Sequence, residues 1–263
     1  MPYVRSKNGI KIYYETYGDG PCIVFIHANP LDHWMWLYQI LQFSINFKVI
    51  AIDLRSYGRS DKPTEECSMR ELSDDVLAVF ERESIGKWVI CGLSIGGSVA
   101  TEFTLNHPDK TRGLVIVGSS GLGGRRINEV MDRRIDGFRT MGPRKYISQE
   151  ISSLFSKEFI NSEVGSMIIN LYIEKADKLK VNSIVQMYES LKWFDITDRV
   201  SEIKVPSLLI AGEFDGAREA VRALHEVIDG SEFFIIPGAH HVCCLDSPKE
   251  FNGILSSFLN SLG

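Results

Sequence analysis

The chain has 263 residues, 44 % of them hydrophobic and 24 % charged, with 29 basic against 34 acidic residues and a net charge of −5. This length suits one α/β domain with a full core, and the composition excludes a disordered or fibrous chain. The two signs of charge are interspersed, no basic block is present to neutralise phosphates, and no uncharged apolar stretch is long enough to span a bilayer, so neither nucleic-acid nor membrane partners are expected.

The N-terminal stretch MPYVRSKNGIKIYYE is charged and strand-like, unlike a signal peptide, and its two halves alternate around Asn8-Gly9 as a β-hairpin does. Short apolar runs then alternate with helix-length amphipathic segments. The runs are CIVFIHA from Cys22, FKVIAID from Phe47, KWVICGL from Lys87 and GLVIVGS from Gly113, with helices expected over Trp36 to Ile45, Met69 to Arg82 and Ile95 to Asn106. Between Gly121 and Pro206 the alternation stops, and apolar residues recur at helical spacing: Ile127, Val130, Met131, Ile135 and Phe138, then Met167, Ile168, Leu171 and Tyr172, then Val181, Ile184, Val185 and Tyr188. This is a helical insertion, taken as residues 122–204 and expected to form a lid; 1–121 and 205–263 make up the core domain. SLLIAGE from Ser207 and EFFIIPG from Glu232 resume the strands, with helices over Ala217 to Val227 and Lys249 to Asn260. The pattern predicts an α/β fold with a mostly parallel sheet flanked by helices. The five cysteines, Cys22, Cys67, Cys91, Cys243 and Cys244, are an odd set without a framework spacing and read as reduced thiols of a cytoplasmic protein.

Chemistry concentrates in VICGLSIGGSVATEF, from Val89 to Phe103, where a strand breaks into Gly-Leu-Ser-Ile-Gly-Gly and resumes as a helix. A serine on so tight a turn projects its hydroxyl at the carboxyl end of the strand, and the helix behind it supplies N–H groups for a developing oxyanion. In this context the chain resembles the α/β-hydrolase-fold serine hydrolases, and the likeness runs from the first hairpin to the last helix. IVFIHANPLDHWMW resembles the family's His-Gly-x-Pro oxyanion segment, VIAIDLRSYGRSDKP its Asp-x-Arg-Gly-x-Gly-x-Ser turn, CGLSIGGS its nucleophile elbow, and LLIAGEFDG with IIPGAHHV the strand ends that carry an acid and a histidine. The order Ser94, Asp215, His241 is the order of this fold.

The resemblance implies an eight-stranded sheet and a role for each of these residues. Ser94 is the nucleophile, His241 takes and returns its proton, and Asp215 fixes the imidazole. Glu213, two residues before Asp215, is the competing acid. His240 is the competing base, standing where similar hydrolases carry glycine in Pro-Gly-x-Gly-His. The backbone N–H groups of Asn29 and Ile95 form the oxyanion hole, with Ala28 and Ser56 at positions where the family usually has glycine. An asparagine in this loop also resembles the haloalkane dehalogenases, but those displace at a saturated carbon with a carboxylate, and Ser94 argues against that chemistry. Pro30 and Trp34 are candidate substrate-binding residues; in the similar cofactor-free perhydrolases a proline after the oxyanion residue reshapes the loop. His27 is expected to form the loop rather than to react. His240, His241, Cys243 and Cys244 match no zinc spacing, so neither metal nor cofactor is expected. The implied activity is hydrolysis of a small carboxylic ester or lactone through an acyl-enzyme. The alternatives are a carbon–carbon bond hydrolase of ring-fission products and a slow-turnover ligand receptor on the same fold.

Overall fold

Runs such as CIVFI, WVICGL and SLLIAG carry no charge and many branched side chains, so they suit strands covered on both faces. In the computed structural model, which describes residues 3–122 and 125–263, these runs are the fully buried strands β3 (Cys22–Ile26), β5 (Trp88–Leu93) and β7 (Ser207–Gly212). Together with β1 (Tyr3–Arg5), β2 (Lys11–Tyr17), β4 (Lys48–Asp53), β6 (Thr111–Val117) and β8 (Glu232–Ile236) they form one eight-stranded sheet of order 1-2-4-3-5-6-7-8. The hairpin β1–β2 and the β2–β4 pair are antiparallel, and every later neighbour is parallel. Pro2, at the start of the expected hairpin, lies outside the described residues.

Alternation along the strands divides the core into two layers. Val24 and Ile26 join Val76, Val99 and Phe103 on one face, from helices α2 (Met69–Glu83) and α3 (Ile95–Asn106). Ile23 and Phe25 join Ile40, Phe251 and Leu255 on the other. That second layer comes from α1 (Leu37–Phe43) and the C-terminal helix over Pro248–Ser261. The first expected helix is shorter than its apolar pattern suggests. Asp32 accepts a hydrogen bond from Trp34 N (3.1 Å), so His33–Trp36 forms a 3₁₀ turn and the α-helix starts only at Leu37.

Five helices stand between β6 and β7: α4 (Arg125–Met141), α5 (Pro143–Leu154), α6 (Lys157–Asn161), α7 (Glu163–Ala176) and α8 (Val181–Lys192). The chain closes with α9 (Arg218–Val227) between β7 and β8, then α10 (Cys243–Asp246) and α11 (Pro248–Ser261). Among the described residues no helix is long and apolar enough to cross a membrane.

The turn after β4 is held by buried charge. Asp53 accepts hydrogen bonds from His33 N (2.9 Å) and Arg59 N (2.8 Å) and pairs with His33 Nδ1 at 2.6 Å. Arg55 meets Asp75 of α2 with two bonds of 2.6 and 2.8 Å, which ties the same turn to the helix layer. Ser56 has φ 78, in the left-handed region where glycine carries the least strain, which fits the glycine that the resemblance expects there. Burial alone would raise the Asp53 carboxyl, but its bonds to His33 and Arg59 prevail and hold it down at about 2. A depressed carboxyl stabilises the fold above its unfolded value near 3.8 and loses that contribution as pH falls toward 2, which amounts to about 2 kcal/mol. The stability gap between wild type and Asp53→Asn, measured by urea unfolding, should therefore shrink by about that amount between pH 5 and pH 2. A gap that stays constant over this range contradicts the assignment.

Candidate active site

Parallel register sets out the site along the carboxyl edge of the sheet, where open α/β sheets carry their ligands. Leu93 pairs with Val117, and Val117 with Ile210, so β5, β6 and β7 end side by side. Ser94 follows β5 directly, with φ 57 and ψ −120, its N–H donating to Val117 O (2.8 Å) and its carbonyl accepting from Ser98 N (3.1 Å). This sparsely populated conformation persists because both sides of the turn are fixed. Helix α3 packs so closely behind it that a Cβ on Gly96 would lie 2.2 Å from Ile26 O, which is why the motif needs glycine there. The first-turn amides of α3, starting at Ile95, present the positive end of the helix beside the serine.

Asp215 sits in the turn after β7, and His241 in the loop after β8. His241 Nδ1 lies 3.0 Å from Asp215 Oδ1, which also accepts from Ala217 N (2.8 Å). Both side chains are buried. Burial works to raise the Asp215 carboxyl, but the imidazole, the Ala217 N–H and the more distant Arg134 outweigh it and lower it below the usual carboxylate range. A carboxylate accepts only, so the Nδ1 proton faces Asp215 and the lone pair of Nε2 is left to receive a proton.

The neighbours that competed for these roles are engaged elsewhere. Glu213 accepts from Gly238 N (2.8 Å) and holds the turn after β8. The ring of His240 packs on Phe214 at 5.4 Å between centroids, and its backbone N–H donates to Asp246 (2.8 Å). His27 is fully buried, with Nδ1 donating to Ala28 O and Nε2 accepting from Leu54 N, both at 2.9 Å; burial lowers its pKa, so it serves as a neutral clamp on the loop.

Ser94, Asp215 and His241 line one cavity of about 440 Å³. Its floor includes Gly118, Ser119 and Ser120 at the end of β6. Its wall comes from the segment between β6 and β7, including Val130 and Met131 of α4 and Phe194 after α8. Asn29 is buried, precedes a cis bond to Pro30, and has both side-chain amide atoms unpartnered among the described residues. Pro30 and Trp34 line a separate cavity of about 230 Å³ with His33, Arg59 and Tyr172. All five cysteines are free thiols, and no cluster of potential metal ligands occurs among the described residues.

Gly118 and Arg134 are the site residues that pattern reading missed. The signal for Gly118 lay in GLVIVGSSG, a third strand that ends in small residues between the strands leading to Ser94 and Asp215. It has φ 55, and a Cβ there would lie 2.7 Å from Asp215 Oδ2 and 3.1 Å from His241 Nδ1. Gly238 shares the left-handed backbone, at φ 73, but has open space around it. Gly118→Ala should therefore cost about 1 kcal/mol more stability than Gly238→Ala, and it should abolish the downfield proton resonance of His241 Nδ1–H. Equal costs and an unchanged resonance contradict the packing argument.

Comparison with known proteins agrees with this architecture. The family model described as alpha/beta hydrolase fold matches residues 21–248. The chain is 25 % identical over 276 residues to the AB hydrolase superfamily protein YisY of Bacillus subtilis, covering 98 % of this chain and 99 % of that one. The solved structure of Est816, described as an N-acyl homoserine lactone degrading enzyme, is 30 % identical with a TM-score of 0.83, covering 98 % of this chain and 100 % of the other. The enol-lactonase from Burkholderia xenovorans LB400 shares the fold at a TM-score of 0.91 with 24 % identity, again over 98 % and 100 % of the two chains. With its eight-stranded sheet, flanking helices and a match along most of its length, the chain belongs to the α/β-hydrolase fold family and is a hydrolase of that fold.

Proposed function

We propose that the protein is a serine hydrolase that cleaves a small carboxylic ester or lactone through an acyl-enzyme. The observation that carries this reading is the 3.0 Å His241–Asp215 pair opening into the same cavity as Ser94 on its constrained turn. The relatives that degrade lactones or esters support the reaction class.

In this reading His241 Nε2 takes the hydroxyl proton of Ser94 as Oγ bonds to the substrate carbonyl carbon, while Asp215 stabilises the imidazolium. The oxyanion is received by the N–H groups of Ile95 and Asn29. Collapse breaks the carbon–oxygen bond, the leaving alkoxide receives the proton from His241, and an ester to Ser94 remains. Water, deprotonated by His241, adds to that ester, and collapse returns the proton to Ser94 and releases the carboxylic acid. Side chains and water suffice for every step, so no cofactor is required. The helices between β6 and β7 act as a lid that sets substrate size, and Pro30 and Trp34 shape the approach from the neighbouring cavity. Five free thiols fit a reducing, cytoplasmic setting.

Ser94→Ala should lower kcat for a p-nitrophenyl ester by roughly 10⁴-fold or more and abolish labelling by a fluorophosphonate, since only binding and the oxyanion donors remain. Labelling retained in that variant contradicts the nucleophile, and tight ester binding by wild type without sustained turnover favours a receptor. The doubled histidine gives a second test. His241→Ala should abolish turnover, by about 10⁴-fold or more, and His240→Ala should cost far less. The reverse ranking places the base one residue earlier.

A further inference from the structure

The cavity that holds Ser94 also contains a cation that takes part in no bond-making step of the ester hydrolysis described above. Ile127, Val130, Met131 and Arg134 recur at positions i, i+3, i+4 and i+7 along α4 and line that cavity together. Arg134 therefore lies two helical turns, about 10 Å of axis, from Ile127 on the same face. It is half-buried, and its guanidinium carbon lies 6.0 Å from the ring centroid of Tyr188, a buried side chain of α8. Charge stacked on an aromatic face keeps its orientation at little further entropic cost.

No carboxylate among the described residues lies within ion-pair distance of Arg134, although other arginines of the fold have such partners. Arg55 meets Asp75, Arg144 meets Asp177, and Arg199 meets Glu102. Of the acidic groups that share the cavity, Asp215 pairs with His241 through Oδ1 and feels Arg134 only at a distance, and the exposed Glu219 pairs with Arg218 and Arg222. The rest of the helix face that lines the cavity, Ile127, Val130 and Met131, is apolar. A planar group with five N–H donors on such a wall, without a carboxylate partner, keeps donors for whatever fills the cavity.

We propose that Arg134 recognises a carboxylate on the substrate, so that the ester or lactone is anionic and carries its second acid group at the end remote from the scissile carbonyl. This rests on the ester-hydrolase reading for its chemistry, but the recognition itself is a binding property. Hydrolysis of such a substrate breaks its ester bond with one water and leaves an acid and an alcohol, with the remote carboxylate unchanged. The neighbouring Asp215 gives Arg134 one other conceivable task, as an electrostatic support for the His–Asp pair. That task acts on every substrate alike, whereas carboxylate recognition acts on charge.

The test compares half-esters with their neutral carboxamide analogues of equal length, with full-length protein. One series carries the carboxylate on the acyl chain (methyl hydrogen succinate, glutarate and adipate), and the other on the leaving group (ω-carboxyalkyl acetates). In at least one series wild type should prefer the carboxylate over the carboxamide by about tenfold or more in kcat/KM, mainly through KM. Arg134→Gln should reduce that preference by about tenfold or more, and Arg134→Lys should restore part of it. A wild-type preference for the carboxamides, or a preference ratio unmoved by Arg134→Gln, overturns the proposal. Calorimetric binding of the same ligands to Ser94→Ala, with and without Arg134→Gln, separates the two readings. Charge-dependent binding that requires Arg134, without turnover in wild type, overturns only the ester hydrolase; binding indifferent to Arg134 overturns the carboxylate site.

Discussion

The contact between His241 Nδ1 and Asp215, at 3.0 Å, imposes conditions on much of the surrounding structure. A carboxylate buried at the end of β7 is tolerated because the imidazole and the Ala217 N–H satisfy one of its oxygens. The two partners come from loops that follow different strands, so the pairing depends on β7 and β8 being parallel neighbours in register. It also depends on the adjoining strand end, where Gly118 leaves no Cβ to push the pair apart. A fold that supplies this geometry can direct one lone pair of His241 toward the cavity shared with Ser94.

A second buried carboxylate does similar work on the other side of the site. Asp53 ends β4 and gathers His33 and Arg59, while His27 joins its own loop to Leu54. Between them these bonds hold the segment from His27 to His33, which contains Asn29, against the turn after β4. The two halves of the site are thus anchored separately, one by Asp215 and one by Asp53, and Ser94 stands between them at the end of the central strand β5. None of this needs a large apolar contribution from the site itself. The apolar layers on both faces of the sheet supply the stability, and the polar groups fix the arrangement.

The strands were legible because buried parallel strands must be apolar throughout, and the turns because glycine and serine stand at positions of unusual backbone geometry. Ser94 could be read from its flanks for that reason. The choice of His241 over His240 rests on the register of one loop motif, in which His240 stands where the resemblance expects glycine. In space the two differ: Phe214 and Asp246 engage His240, and Asp215 engages His241. The cavity wall was less legible. Helical spacing marks Ile127, Val130 and Met131 as one face but does not say what that face covers, and Arg134 reads as one more solvent-facing charge until α4 is placed over the end of the sheet. The same limit applies to Pro30 and Trp34. They follow Asn29 closely in sequence, yet they line a different cavity from the one that holds Ser94.

The central claim is that Ser94 carries the substrate's acyl group during turnover. The most direct measurement is rapid acid quench of the wild-type protein during hydrolysis of an activated ester, followed by peptide mass spectrometry. The account predicts a covalent acyl group on the peptide that contains Ser94, formed before steady state and lost when substrate is exhausted. An acyl group on a different residue, or full turnover with no modified peptide at any quench time, would contradict it.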